Sequence, residues 1–240
     1  MPAFVRLELI RLVRTPSFLI YLILFPVVMY VMFVHVLNVG GDNPGEARAF
    51  YMVSMATYGA MGMALFSSSR IALERQRGWT RQLAVTPLTP RAYLVSKLIA
   101  GTAAVPVAVA LVLSSGLLLG GVRLPAVQWL AIIGLLWVSS LPFAALGVGI
   151  GYVTKPESAQ GLTVGLYFAL AILGGLWYPV ELFPEAVRTF AELSPAYFAG
   201  DLGWRVVAGE PPTPGGLGAL LAWTLAFAAF AVWRYRRATR

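Results

Sequence analysis

The chain has 240 residues, of which 59% are hydrophobic and 12% charged, with a net charge of +8 and no cysteine. Soluble domains carry roughly 25% charged and about 45–50% apolar residues, so this composition cannot cover a folded surface in water. Without cysteine, a disulfide framework, a thiolate metal site and a nucleophilic thiol are excluded.

The opening stretch MPAFVRLELIRLVRTP is amphipathic: Phe4, Leu7, Ile10 and Leu12 fall near one side, and Arg6, Arg11 and Arg14 supply cationic edges. This pattern predicts a helix lying in the headgroup plane. The plainer alternative is a positive flank that only orients the first span. The apolar run behind it is too long for a removable signal peptide and lacks a small-residue cleavage site. Downstream, windows free of Asp, Glu, Lys and Arg cover 15–41, 49–69, 98–122, 124–154, 158–180 and 211–233. About 20 apolar residues cross the ~30 Å hydrocarbon layer as a helix, and backbone groups in lipid must bond internally. The expected fold is therefore an all-α polytopic membrane protein, one domain over 1–240. Its six transmembrane helices are expected near 17–37, 49–70, 95–119, 127–152, 159–178 and 215–234. A β-barrel is excluded, because LYFALAILGGLW (166–177) shows no alternation.

With the N-terminus placed inside, fourteen Lys and Arg fall on the inner side, and only Arg48, Arg123, Arg188 and Arg205 fall outside. The positive-inside rule then puts both termini in the cytoplasm. The basic excess serves orientation and anionic lipid, not a nucleic-acid groove. Arginine outnumbers lysine 16 to 2, which suggests a GC-rich bacterial source.

No enzyme constellation emerges. His35 is the single histidine, so a centre with two or three His ligands is excluded; we read His35 as structural or interfacial. The apolar windows hold no carboxylate, which argues against a proton relay. GVGIG (147–151) fails the dinucleotide fingerprint, and no GxxxxGK[ST] loop occurs. Gly116–Gly120, Gly147–Gly151 and Gly161–Gly165 are small-xxx-small pairs that favour close helix packing. Met29, Met32, Met52, Met55, Met61 and Met63 cluster in the first two spans. Ordinary packing is the simpler account of them. The sharper one has Met52, Met55 and Met63 lining a route for a bulky apolar solute.

Between the fifth and sixth windows, GGLWYPVELFPEAVRTFAELSPAYFAGDLGWRVVAGE (174–210) is too long for a loop and too apolar to be solvated. PEAVRTFAEL begins with a proline suited to a helix start and spaces Val187, Phe190 and Leu193 helically; a second pattern runs from Tyr197 to Val207. Two short amphipathic helices dipping into the outer leaflet are expected, as a re-entrant hairpin. Pro179, Pro184, Pro195 and Tyr197 would mark an outer gate.

The segment ERQRGWTRQLAVTPLTPRAYLVSK (74–97), with GGLWYPVELFP (174–184) and LSPAYFAGDLGWRVVAGE (193–210), resembles the membrane subunit of type-2 ABC export permeases, close to the drug- and antibiotic-efflux group. The resemblance runs nearly end to end. Glu74, Arg75, Gly78, Leu83, Thr86, Pro87 and Lys97 fill the family's pattern, while Arg81 stands after Trp79-Thr80 where an acid is commoner. The resemblance implies two permease chains and a separate ABC ATPase subunit. ATP and Mg would sit on that partner, and no cofactor would be bound by this chain. It also implies that 74–90 forms a coupling helix docking on the ATPase through Glu74, Arg75, Gly78, Trp79, Leu83, Thr86 and Pro87. Physical chemistry agrees with that assignment: Trp79 and Leu83 share a helical face, and Thr-Pro turns end the helix. Lipid binding alone would explain the arginines but not Trp79.

The expected function is export of a lipophilic or amphipathic compound (drug, antibiotic or lipid) from the bacterial cytoplasm across the inner membrane. Gly161 and Gly165 are expected at the seam of a homo- or heterodimer. The alternatives are a permease for polysaccharide export, which shares the fold, and an ATP-independent secondary carrier or channel. The last is disfavoured by the missing intramembrane charges and internal repeat.

Overall fold

The computed structural model describes residues 16–39, 43–78, 90–153 and 156–238, and every regular element among them is helical. Helix α1 spans Pro16–Val31 and continues into a π-helical turn, Met32–Val36. Then follow α2 (Pro44–Ser69), α3 (Ile71–Gln76), α4 (Pro90–Ala103), α5 (Val105–Leu118), α6 (Ala126–Ser139) and α7 (Leu141–Val153). The last third holds α8 (Pro156–Leu173), α9 (Glu185–Glu192), α10 (Pro195–Val207) and α11 (Pro214–Ala238). The amphipathic N-terminal stretch lies outside the described residues.

Among the described residues, four stretches are long and apolar enough to cross a bilayer: Pro44–Gln76, Val95–Leu118, Ala126–Val153 and Pro214–Arg237. The first and fifth expected spans are shorter apolar helices among the described residues, Ile20–Val36 and Ser158–Leu173. Helix α8 stops at Leu173, although its apolar window runs on, because Gly175 takes a left-handed φ of 74°. The Leu176 N–H then donates back to the Ala171 carbonyl at 3.0 Å, closing the helix end. Two spans are broken internally by proline. Pro106 and Pro142 cannot donate to the carbonyl four residues earlier, and α4 gives way to α5, and α6 to α7, just before them.

Helix α2 is the axis of the bundle. Every residue from Tyr51 to Leu65 is buried, as expected of a helix that is apolar all round. Two of its buried hydroxyls bond within the helix: Ser54 Oγ donates to the Phe50 carbonyl and Thr57 Oγ1 to the Val53 carbonyl, each at 2.9 Å. Around it pack α1, α4, α5, α7, α8 and α10, while α11 packs on α7 and α10 and leaves Leu217, Leu221 and Leu225 exposed. Helix α8 separates two faces at helical spacing. Ala159, Thr163, Tyr167 and Ala171 are buried, whereas Gly161, Leu162, Gly165 and Ile172 are exposed.

The three glycine pairs diverge in this arrangement. Gly116 packs on Met52 and Gly120 on Tyr30. Gly147 lies against the Leu65 carbonyl and Ser68, and a Cβ on Gly151 would sit 2.9 Å from Ile71 Cβ. These two pairs are packing contacts inside the chain. Gly161 and Gly165 differ, since a Cβ on either meets nothing within 4 Å.

Candidate functional site

Two features of the bundle concern function: a polar junction at one end and a cavity within it. The junction is built around α3, which leads directly toward the segment 79–89. Glu74 Oε1 pairs with Lys97 Nζ of α4 at 2.5 Å, the side chains being 17% and 3% exposed. The neighbouring Arg75 points to α7, where Nη1 donates to the Gly151 carbonyl at 3.0 Å and the guanidinium lies 5.2 Å from the Tyr152 ring centre. Gly151 is in the last turn of α7, whose carbonyls have no intrahelical donor, so the arginine caps that helix end. The Tyr152 ring meets Tyr235 of α11 edge to face at 5.3 Å. Beneath them, Ile71, Val148, Tyr152 and Ala231 form a small buried cluster.

This geometry gives Glu74 and Arg75, both expected at the docking surface, partners inside the chain. Both side chains are engaged with neighbouring helices of their own chain. Gly78 also gains a local reason: its φ of 72° is left-handed, just past α3, and its N–H donates to the Arg75 carbonyl at 3.1 Å. It ends a helix where a side chain would be strained. Trp79, Leu83, Thr86 and Pro87 lie outside the described residues.

The second feature is a cavity of about 320 Å³ between α1, α2 and α8. Its wall is aromatic: Tyr21, Phe25, Tyr58, Phe66, Tyr167 and Phe168 contribute rings, and Gln160 a polar group, with no charged side chain among the lining residues. Tyr167 stacks on Tyr58 with ring centres 4.2 Å apart, and its hydroxyl donates to the Tyr58 carbonyl at 3.1 Å. Gly62 makes room for that ring, since a Cβ there would stand 2.7 Å from Tyr167 Oη. The volume is at the lower end of ordinary small-molecule sites. Met52, Met55 and Met63 are not part of this wall. They are at most 1% exposed and pack inside the α2 core, as the packing account of them expects. In the sequence this wall is carried by the aromatic spacing Tyr21/Phe25 and Tyr58/Phe66, with Gly62 midway between the latter.

At the other end of the bundle, the segment between α8 and α11 forms two helices with different surroundings. Pro179 precedes the 3-10 turn Val180–Leu182, Pro184 sits at the N-cap of α9 rather than in its first turn, and Pro195 begins α10. Ser194 Oγ caps α10 by accepting from the Tyr197 N–H at 3.1 Å. Helix α9 exposes Val187 and Phe190, with Leu193 exposed just past its end, whereas α10 packs among other helices. Gly200, Leu202, Gly203 and Val206 of α10 are buried. Trp204 Nε1 donates to Ser54 Oγ of α2 at 3.0 Å, and its ring stacks on Phe50 at 4.8 Å. The apolar spacing seen in the sequence faces neighbouring helices there. His35 has a structural role in the same region, with Nε2 3.0 Å from the Leu119 carbonyl at the end of α5.

The comparisons with known proteins accord with a bundle of apolar helices. Residues 38–233 match the family model described as "ABC-2 family transporter protein". A curated protein of Bacillus subtilis (strain 168), named "Putative transport permease YvfS", is 29% identical over 223 residues, covering 92% of this chain and 90% of that protein. The family match spans well over half of the sequence, and its members are multi-pass membrane subunits of transporters without catalysis of their own. This chain belongs to the ABC-2 transporter family.

Proposed function

We propose that the chain is the permease half of an ATP-driven exporter in a bacterial inner membrane, with six spans and both termini cytoplasmic. Two permease chains and a separate ABC ATPase complete the transporter, and ATP and Mg belong to that partner. The observation that carries this reading, beside the family, is the junction at α3. The chain leaving Gly78 toward 79–89 starts from an element tied to α4, α7 and α11 together. A push on that segment would move several spans as a body, as alternating access requires.

The substrate is a lipophilic or amphipathic compound, a drug, antibiotic or lipid. The aromatic, uncharged wall between α1, α2 and α8 supports this class, because it offers stacking surface and one amide but no group to neutralise an ion. The exposed row Gly161, Leu162 and Gly165 on α8 supports a second permease chain at that face, since small residues with open space above them admit a close helix partner.

The decisive experiment is co-purification of the tagged permease with an ATP-binding protein, followed by Trp79→Ala plus Leu83→Ala. The double variant is expected to lose the ATPase while keeping its own thermal stability. A complex that survives the double substitution sinks the docking role of 79–83.

A further inference from the structure

We infer that Arg75 and Glu74 are positioning residues that carry movement of the 79–89 segment into two separate groups of helices, and are not contacts with the ATPase. The inference rests on the export reading above. Helix α3 has only six residues, yet it is held from several directions. Glu74 and Arg75 are adjacent, and consecutive residues on a helix point about 100° apart. One therefore reaches α4 while the other reaches α7. The link to α4 is a buried ion pair, Glu74–Lys97. The link to α7 is the Arg75 bond to the Gly151 carbonyl, reinforced by the guanidinium over Tyr152, and Tyr152 in turn leans on Tyr235 of α11.

The backbone of α3 is pressed onto α7 by the same design. A Cβ on Gly151 would lie 2.9 Å from Ile71 Cβ and 3.3 Å from the Ala72 nitrogen, so only glycine permits this approach. Ile71 is fully buried at that contact. Movement of α3 thus has no slack toward α7. The left-handed Gly78 ends α3 at once, which keeps this base short. The division of labour follows: 79–89 touches the partner, Arg75 delivers the movement to α7 and α11, and Glu74–Lys97 delivers it to α4. Lysine cannot replace Arg75, because a single ammonium group cannot donate in a fixed plane and stack on a ring together.

The test uses the full permease bound to the ATPase that co-purifies with it, reconstituted in lipid vesicles. The chain has no cysteine, so Leu221→Cys on exposed α11 carries one environment-sensitive fluorophore. Adding ATP and Mg to the otherwise unsubstituted complex should shift its emission. Arg75→Gln and Arg75→Lys should keep complex recovery and ATP hydrolysis within twofold, and should reduce the ATP-driven shift at least fivefold. Exposed Arg77→Gln should leave all three unchanged. Glu74→Lys should lose the signal of a second reporter at Val95→Cys on α4, and the swap Glu74→Lys with Lys97→Glu should restore at least half of it. Loss of the complex with Arg75→Gln would make Arg75 a docking residue and overturn the inference. So would an undiminished shift. If the unsubstituted complex does not form, or shows no shift with ATP, the export reading itself fails, and this inference with it.

Discussion

Substitution of Gly62 by alanine asks whether the wall between α2 and α8 is as tight as its geometry. The new Cβ would stand 2.7 Å from Tyr167 Oη, 2.8 Å from Cζ and 2.9 Å from Cε2. The ring cannot swing aside freely, since it is buried, stacked on Tyr58 at 4.2 Å and bonded to the Tyr58 carbonyl. Overpacking of this kind costs about 1–3 kcal/mol, and replacing a helical glycine by alanine returns up to about 1 kcal/mol. Taking the middle of the first range, the balance is a loss of about 1 kcal/mol, or a fall in Tm of roughly 2–4 °C for a chain of this size. Thermal unfolding in detergent, followed by tryptophan fluorescence, measures it. Tyr167→Leu in the same molecule removes the obstructing ring, so the two changes should be non-additive by about 1 kcal/mol. The matched control is Gly161→Ala, where a Cβ meets nothing and stability should hold or rise. A Gly62→Ala protein as stable as the parent, or a strictly additive double variant, would refute the reasoning.

Trp204→Phe removes the Nε1–H that donates to Ser54 Oγ while keeping the stack on Phe50. It should cost about 1 kcal/mol, the net worth of one hydrogen bond, in the same unfolding assay. Gly165→Leu fills open space on the exposed face of α8; it should leave unfolding unchanged within ~0.5 kcal/mol and lower the fraction of dimer seen by light scattering. Single cysteines at Arg77 and Glu185 should be labelled from opposite sides of intact vesicles by a membrane-impermeant maleimide. Labelling of both from one side would refute the proposed orientation.

What local sequence determined is the environment of the chain. Transfer free energies add along about 20 residues, so charge-free windows such as 49–69 and 124–154 announce helices in lipid without reference to anything distant. The breaks before Pro106 and Pro142 are equally local, because proline withholds its own N–H. Tertiary structure alone decided what each helix face meets. Three glycine pairs share one spacing, yet Gly147–Gly151 closes on α2 and α3 while Gly161–Gly165 faces open space, because the neighbour comes from elsewhere in the chain. Helix α10 has the spacing of an interfacial helix, but α2 and α6 supply its apolar surroundings. Glu74 and Arg75 read as outward charges until Lys97 and the Gly151 carbonyl, 23 and 76 residues away, are brought beside them. Spacing along a chain fixes which residues share a face, and only packing fixes what that face touches.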